Sequence, residues 1–181
     1  MVITYALDKI KQIVYNDNVT DNKEVTTMGL DMYLNKKIGI YAMYKHENIN
    51  GTIFLTKDGL EIPIKMNMIT SITERAAYWR KANQVHNWFV ENCQNGQDDC
   101  GEYEVTLEQL RELLKLCKEI AKHPEKGPEL LPVKEGPYFG SFEYGQSYMI
   151  DIKDTIKQLT PLIKEEFPKG IYVSYYYNSS W

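Results

Sequence analysis

The side chains best suited to chemistry are concentrated in segment 78–92. They comprise two rings, two cations, an amide and an imidazole: Tyr78, Trp79, Arg80, Lys81, Asn83 and His86. A ring can stack on a nucleobase, an amide can hydrogen-bond to the edge of the base, and a guanidinium can bind a phosphate. The segment therefore indicates a site for a small anionic ligand that contains a base. The alternative is that Trp79 and Trp88 fill the core, with their indole N–H groups satisfied internally.

A second group of rings lies in the glycine-rich segment 130–148 and at the C-terminus. Glycine allows a ligand to approach the backbone closely, so we expect Tyr138, Ser141 and Tyr144 to contribute to the same site. Ser141 could instead cap the helix that follows. Trp181 completes the predicted ligand-binding set. We expect it to be buried, because a frayed tail gains nothing from a large ring.

A catalytic site in the same region is an alternative hypothesis. A hydrolase of a nucleotide or phosphoester would have to use His86, Asp98, Asp99 and Cys100. His86 and Cys93 would lie roughly 10 Å apart on one helix, too far for direct proton transfer. Their spacing also matches no metal motif. We therefore assign no catalytic residue, no metal ligand and no cofactor, and interpret Asp98 and Asp99 first as turn residues.

Three helices and a β-rich N-terminal half must position these residues. Apolar residues at steps of three and four predict helices over 76–93, 106–122 and 143–160, the second with a capping box formed by Thr106 and Gln109. Alternating residues predict strands between 28 and 69, with a hairpin turn at Asp58-Gly59. A closing strand is predicted at 170–181. The fold class is α+β, an antiparallel sheet packed against about three helices.

Length and composition are typical of one globular domain. The chain has 181 residues and a formal net charge of −4, which disfavours binding to duplex nucleic acid. We predict an N-terminal extension over 1–27 and a single domain over 28–181. No apolar run is long enough to cross a membrane and no secretory signal is visible. These features predict a cytoplasmic protein with free thiols and, if it assembles at all, a homodimer.

Five motifs together carry a resemblance to a known family. They are MGLDMYL at 28–34, YWRKANQVHNWFVEN at 78–92, DDCGEYEV at 98–105, EGPYFGSFEYGQSY at 135–148 and the terminal SSW. This set resembles a family of small uncharacterised proteins encoded mainly by bacteriophages and prophages. The resemblance spans most of residues 28–181 and implies a phage accessory protein in the cytosol of an infected bacterium. Several phage families of this size counter host defence, some by binding a nucleotide signal.

The sequence thus supports three hypotheses. The first is a phage counter-defence protein that sequesters a cyclic nucleotide or an ADP-ribose-like signal without turning it over. The second is an inhibitor that binds a host protein through its tyrosine- and tryptophan-rich surface. The third is the hydrolase described above.

Overall fold

The computed structural model describes residues 29–39, 55–62, 64 and 69–181. The predicted extension at 1–27 and the strands expected between 40 and 54 lie outside these residues. The main feature is a four-stranded antiparallel sheet in the order β4-β1-β6-β5. Its strands are β1 (Asp31–Gly39), β4 (Ser71–Arg80), β5 (Tyr103–Val105) and β6 (Tyr172–Ser180).

The hairpin predicted at Asp58-Gly59 is confirmed. Both residues have positive φ, 52° and 76°, as a tight turn between antiparallel strands requires. The turn joins β2 (Leu55–Lys57) to β3 (Leu60–Ile62), and these two short strands form a separate sheet.

The helices are α1 (Asn83–Cys93), α2 (Leu107–Lys122), the short α3 (Gly127–Leu130) and α4 (Gln146–Lys164), with a 3-10 turn at Pro124–Lys126. The predicted capping box of α2 is confirmed: the Thr106 side chain accepts from Gln109 N, and the Gln109 side chain accepts from Thr106 N. Capping of this kind satisfies amides that a helix leaves without partners in its first turn. The helix predicted at 143–160 is observed as α4, which begins and ends slightly later.

The prediction that residues 76–82 are helical is wrong. Residues 76–80 instead end β4, where Trp79 pairs with Met32 and Arg80 pairs with Asp31 across the sheet. The residues that seemed to start a helical stripe also alternate, with Ala77 and Trp79 inward. The short segment fits the helical period of 3.6 residues and the strand period of two equally well. Pairing with β1 therefore determines that it is a strand. The chain turns at Lys81, and α1 begins at Asn83.

One core joins the sheet to the helices. It contains Leu30, Met32 and Leu34 from the start of the described chain, Phe89 from α1 and Ile152 from α4, all fully buried. The predicted α+β fold, with the C-terminal strand paired into the sheet, is confirmed. In the described part of the chain, no helix combines the length and apolar character needed to cross a bilayer.

Candidate functional site

Asn83, the first residue of α1, fixes the loop between α3 and α4. We call residues 131–145 the aromatic loop. The Asn83 amide donates to the carbonyls of Phe139 (3.1 Å) and Ser141 (2.8 Å), and its oxygen accepts from Lys134 N (3.2 Å). The side chain is fully buried. Its hydrogen-bonding groups are used inside the protein, so Asn83 positions the loop rather than facing a ligand.

His86 is sealed in a second polar network. Its Nε2 lies 3.0 Å from Asp98 Oδ2 and its Nδ1 lies 2.7 Å from the Tyr177 hydroxyl. A carboxylate only accepts, so Nε2 carries the proton, and Nδ1 accepts from the Tyr177 hydroxyl. Burial lowers the pKa of His86, against the opposing effect of Asp98. The ring is fully buried, and its lowered pKa favours the neutral form.

Asp98 links this network to the C-terminus. Its Oδ1 accepts from the Trp181 indole N–H at 3.1 Å, and Lys134 Nζ lies 3.6 Å from Oδ2. The Trp181 ring also meets Phe139 edge to face, with ring centroids 5.7 Å apart. Trp181 is nevertheless 46% exposed, so the prediction that it is buried is wrong. One edge of the indole is tied to Asp98 while the rest of the ring faces solvent.

Trp79 and Gln84 connect this region to α4. The Trp79 indole donates to Thr155 Oγ1 at 2.9 Å, and Gln84 Nε2 donates to Asp151 Oδ2 at 3.1 Å. Trp79 is a buried core residue, as its alternative reading predicted. Burial raises the pKa of Asp151 to about 6.

Two residues in left-handed backbone conformations present their side chains at the surface. Lys81 has φ 61° and Tyr138 has φ 64°, a region that costs residues other than glycine roughly 1–3 kcal/mol. Leu30 joins them: Lys81 N donates to Leu30 O (2.7 Å), and Leu30 N donates to Tyr138 O (3.5 Å). Lys81 is exposed and Tyr138 is 55% exposed. Such strain persists only where the surrounding structure enforces it.

Arg80 and Tyr78 lie beside this pair, on the last residues of β4. Arg80 Nη1 is 2.8 Å from both oxygens of Asp31, and the Tyr78 hydroxyl donates to Asp31 as well. A Cβ built on Gly29 would lie 2.9 Å from Lys81 Cε and 3.2 Å from Arg80 Nη2. The two cationic side chains therefore flank one glycine.

The other predicted loop residues lie further along the aromatic loop. Ser141 does not cap α4, whose N-cap is Gly145; instead its Oγ accepts from Glu143 N at 3.2 Å. Tyr144 is 41% exposed, and its hydroxyl accepts from Val133 N at 3.1 Å. Phe142 is not among the predicted site residues and is also 41% exposed.

The remaining groups of the hydrolase hypothesis lie in a turn. Asp99 accepts from Gly101 N (2.9 Å) and from the Tyr103 hydroxyl (2.9 Å), and these hydrogen bonds lower its pKa. Cys100 is exposed, and no disulfide is formed by it or by Cys93 or Cys117. Among the described residues, no group of three or more histidine, cysteine or acidic side chains could hold a metal ion.

Sequence reasoning missed Leu30 and Asp31, which tie the site together. A signal for Asp31 was present: the alternation of Met32 and Leu34 with Asp31 and Tyr33 predicts one buried and one exposed face. Leu30 contacts Lys81 and Tyr138 through its backbone N–H and C=O groups. Every residue type except proline has both groups, so the sequence does not predict this contact. Comparisons with protein-family models, curated proteins and solved structures find no match to this chain.

Proposed function

We propose that the protein is a non-catalytic binding protein that captures a small anionic, base-containing ligand at its surface. The site is formed by Lys81, Arg80, Tyr138 and Trp181, with Ser141 and Tyr144 at its margin. The strained pair Lys81 and Tyr138 carries the proposal. Strain in two bulky residues, held by the same leucine and facing solvent, is typical of functional sites.

The chemistry of the surface suits such a ligand. The exposed rings of Tyr138 and Trp181 offer stacking faces, and the Lys81 ammonium offers a partner for phosphate. The buried networks of Asn83 and His86 hold the aromatic loop, so little conformational freedom is lost when a ligand binds. Because the His86 ring is fully buried, it cannot take a proton from a bound substrate, which favours capture without turnover.

The biological setting belongs to the same proposal and is supported by the resemblance alone. A phage accessory protein in the cytosol of an infected bacterium would counter host defence by sequestering a nucleotide signal, such as a cyclic nucleotide or an ADP-ribose derivative.

Glycine substitution separates binding from folding at this site. Lys81→Gly removes both the cation and the backbone strain, so we expect weaker ligand binding in a protein that is at least as stable as the wild type. Calorimetric titration with a panel of cyclic nucleotides, ADP-ribose and linear nucleotides measures binding, and urea unfolding measures stability. Chromatography of the recovered ligand checks that it is intact.

The matched control is Asn95→Gly. Asn95 also has positive φ, 53°, and lies in the exposed turn after α1. It should gain stability with no change in binding. If no nucleotide in the panel produces heat with the wild type, the proposed function is wrong.

A protein partner is the second candidate. Phe142 and Tyr144 expose large rings at the margin of the site, and aromatic residues are enriched at the centres of protein interfaces. A host protein bound through these rings would be lost from pull-downs with Phe142→Ser and retained with Lys81→Gly. The opposite pattern would favour the small ligand.

A further inference from the structure

The face of the main sheet that points away from the helices carries an ordered array of rings and amides. Met32 and Leu34 point from β1 into the core, so Tyr33 and Asn35 point outward. The same alternation turns Tyr176 outward, between the buried Tyr175 and Tyr177. The following residue positions define the outer sheet face: Tyr33, Asn35, Lys37, Arg75, Tyr176 and Asn178.

Rings and amides alternate across this face. Tyr33 is paired with Asn178, and Asn35 with Tyr176, on neighbouring strands. The two amides share one hydrogen bond, Asn35 Nδ2 to Asn178 Oδ1 at 3.3 Å. An amide side chain has two donor hydrogens and two acceptor lone pairs, so most of their capacity is left for an edge of a base. All four side chains are partly exposed.

A cationic side chain lies over one face of each ring. The Arg75 guanidinium is 4.8 Å from the centroid of the Tyr33 ring, and Lys37 Nζ is 6.0 Å from that of Tyr176. Within the part of the chain that the structure describes, neither Lys37 nor Arg75 forms an ion pair. Both are exposed, so both can contact phosphate groups.

The charge of the face differs from that of the whole protein. Among the described strand residues, three cationic side chains lie on this side of the sheet, Lys37, Arg75 and Arg80, against two carboxylates, Asp31 and Glu104. Arg80 is paired with Asp31, so the excess comes from Lys37 and Arg75. The chain as a whole carries a formal charge of −4. A local excess of positive charge beside stacking rings indicates a polyanion with exposed bases.

We propose that the outer sheet face binds a short single strand of nucleic acid. The proposal rests on the proposed function, because Tyr78 and Arg80 connect this face to the site at Lys81. Outward positions are about 7 Å apart along a strand and about 5 Å apart between strands. Tyr33 and Tyr176 are diagonal neighbours on adjacent strands, roughly 7–8 Å apart, so their rings can stack on successive bases of an extended single strand of nucleic acid. A duplex has no free base faces, so it gains only the phosphate contacts.

Fluorescence anisotropy with labelled oligothymidylate and oligouridylate of about ten nucleotides tests this proposal. We expect saturable binding that weakens with salt and is stronger than binding to a duplex of the same length. Tyr176→Ser should weaken binding about tenfold by removing one stacking ring. Arg75→Glu should weaken it to a similar extent and reduce the salt dependence, because a phosphate contact is lost.

The matched control is Ile150→Ala. Ile150 is 57% exposed on α4, and α4 packs on the opposite face of the sheet, so binding should be unchanged. Arg75 is exposed, so its variant should fold even if Tyr176→Ser does not. The proposal is overturned if the single-stranded oligonucleotides do not bind, if they bind no more strongly than a duplex, or if their binding survives both substitutions. A second copy of the chain on this face would show as a dimer in sedimentation that Arg75→Glu dissolves, which also overturns it.

The two proposals fail in distinguishable ways. If nucleotides bind at Lys81 but single-stranded oligonucleotides do not bind, only the proposal for the outer sheet face is wrong. If strands bind and Arg75→Glu weakens them while no nucleotide of the panel binds, the outer face is the primary site and the proposed function is wrong. Wild-type protein that binds neither probe contradicts both.

Discussion

Three buried side chains hold the aromatic loop and the elements next to it in place. Asn83 holds the loop backbone, His86 holds Asp98, and Trp79 holds Thr155 on α4. Each side chain has a polar group in the core that is hydrogen-bonded, as buried polar groups usually are. They keep the exposed rings of the loop in a fixed arrangement, which would lower the entropic cost of binding the proposed ligand.

Asn83→Ala should destabilise the protein by roughly 3 kcal/mol, because it removes three hydrogen bonds and leaves the buried Phe139 O and the half-buried Lys134 N without their partner. Urea unfolding at constant pH measures the change. The matched control, Asn87→Ala, removes one long bond to Pro132 O (3.3 Å) on the same helix and should cost less than about 1 kcal/mol. Equal losses from the two variants would mean that Asn83 does not hold the loop.

Asp151 should make the protein less stable as the pH rises. Its pKa is raised by burial from 3.8 to about 6 in the folded chain. Between these values the folded chain binds more protons than the unfolded chain, so the free energy of unfolding falls as pH rises through this window. Asp151→Asn keeps an acceptor for Gln84 and should remove this dependence, leaving a variant that is more stable than the wild type at pH 7.

Urea midpoints measured from pH 4 to pH 7.5 test the effect of Asp151. His86 acts in the opposite sense: its lowered folded pKa means that stability is lost as pH falls below its unfolded value of about 6.5. The His86 contribution is common to both proteins and cancels in the difference. Glu112→Gln, at an exposed carboxylate of α2, should keep the wild-type profile, and a wild-type profile for Asp151→Asn would contradict the prediction.

At the scale of elements, the junction between β4 and α1 is the feature on which the site depends. β4 lies at the edge of the sheet that the described residues form, and the Gln158 side chain of α4 hydrogen-bonds to its outer side, accepting from Tyr78 N (2.8 Å) and donating to Tyr78 O (2.9 Å). The strand then ends at Arg80 and turns through Lys81. The proposed site therefore lies where the end of β4, the start of α1 and the aromatic loop meet.

Gly140 is required at this junction. Its φ is +95°, and a Cβ there would lie 2.9 Å from the Lys81 carbonyl oxygen. Gly140→Ala should cost about 2 kcal/mol or more from backbone strain and this contact, and should weaken nucleotide binding by displacing Lys81. Gly145→Ala is the matched control in the same loop, because a Cβ there meets nothing within 4 Å. Thermal unfolding and calorimetric titration measure both effects, and unchanged binding in Gly140→Ala would contradict the assignment of Lys81 to the site.

The elements also show what could be predicted from the sequence and why the rest could not. The α2 capping box and the Asp58-Gly59 turn were predictable because they depend on residues within a few positions of each other. The end of β4 was not, because Ala77 and Trp79 fit both periods and their partners on β1 lie far away in the chain. The bonds from Asn83 to the aromatic loop join residues more than fifty positions apart, so no local pattern reports them.

For the whole molecule, the order of the sheet places β1 beside the C-terminal strand β6. β1 lies between β4 and β6, and Met32 pairs with both Trp79 and Ser179. The C-terminal strand therefore contributes to the core, to the His86 network through Tyr177, and to the surface through Trp181. Pairing between such distant segments is specified by the global hydrophobic pattern, which becomes readable only once the strands are known.

Removal of residues 1–27 should leave a folded protein of wild-type stability. Removal of residues 179–181 should destabilise the protein. The described core begins at Leu30, so a chain that starts at Met28 retains β1 and every core residue that the structure describes. The C-terminal truncation removes the buried Ser179, which pairs with Met32, and the bond from Trp181 to Asp98. Circular dichroism and urea unfolding should show a wild-type midpoint for the first variant and a lower midpoint for the second. A chain starting at Met28 that does not fold would show that the N-terminal segment is part of the domain and not an extension.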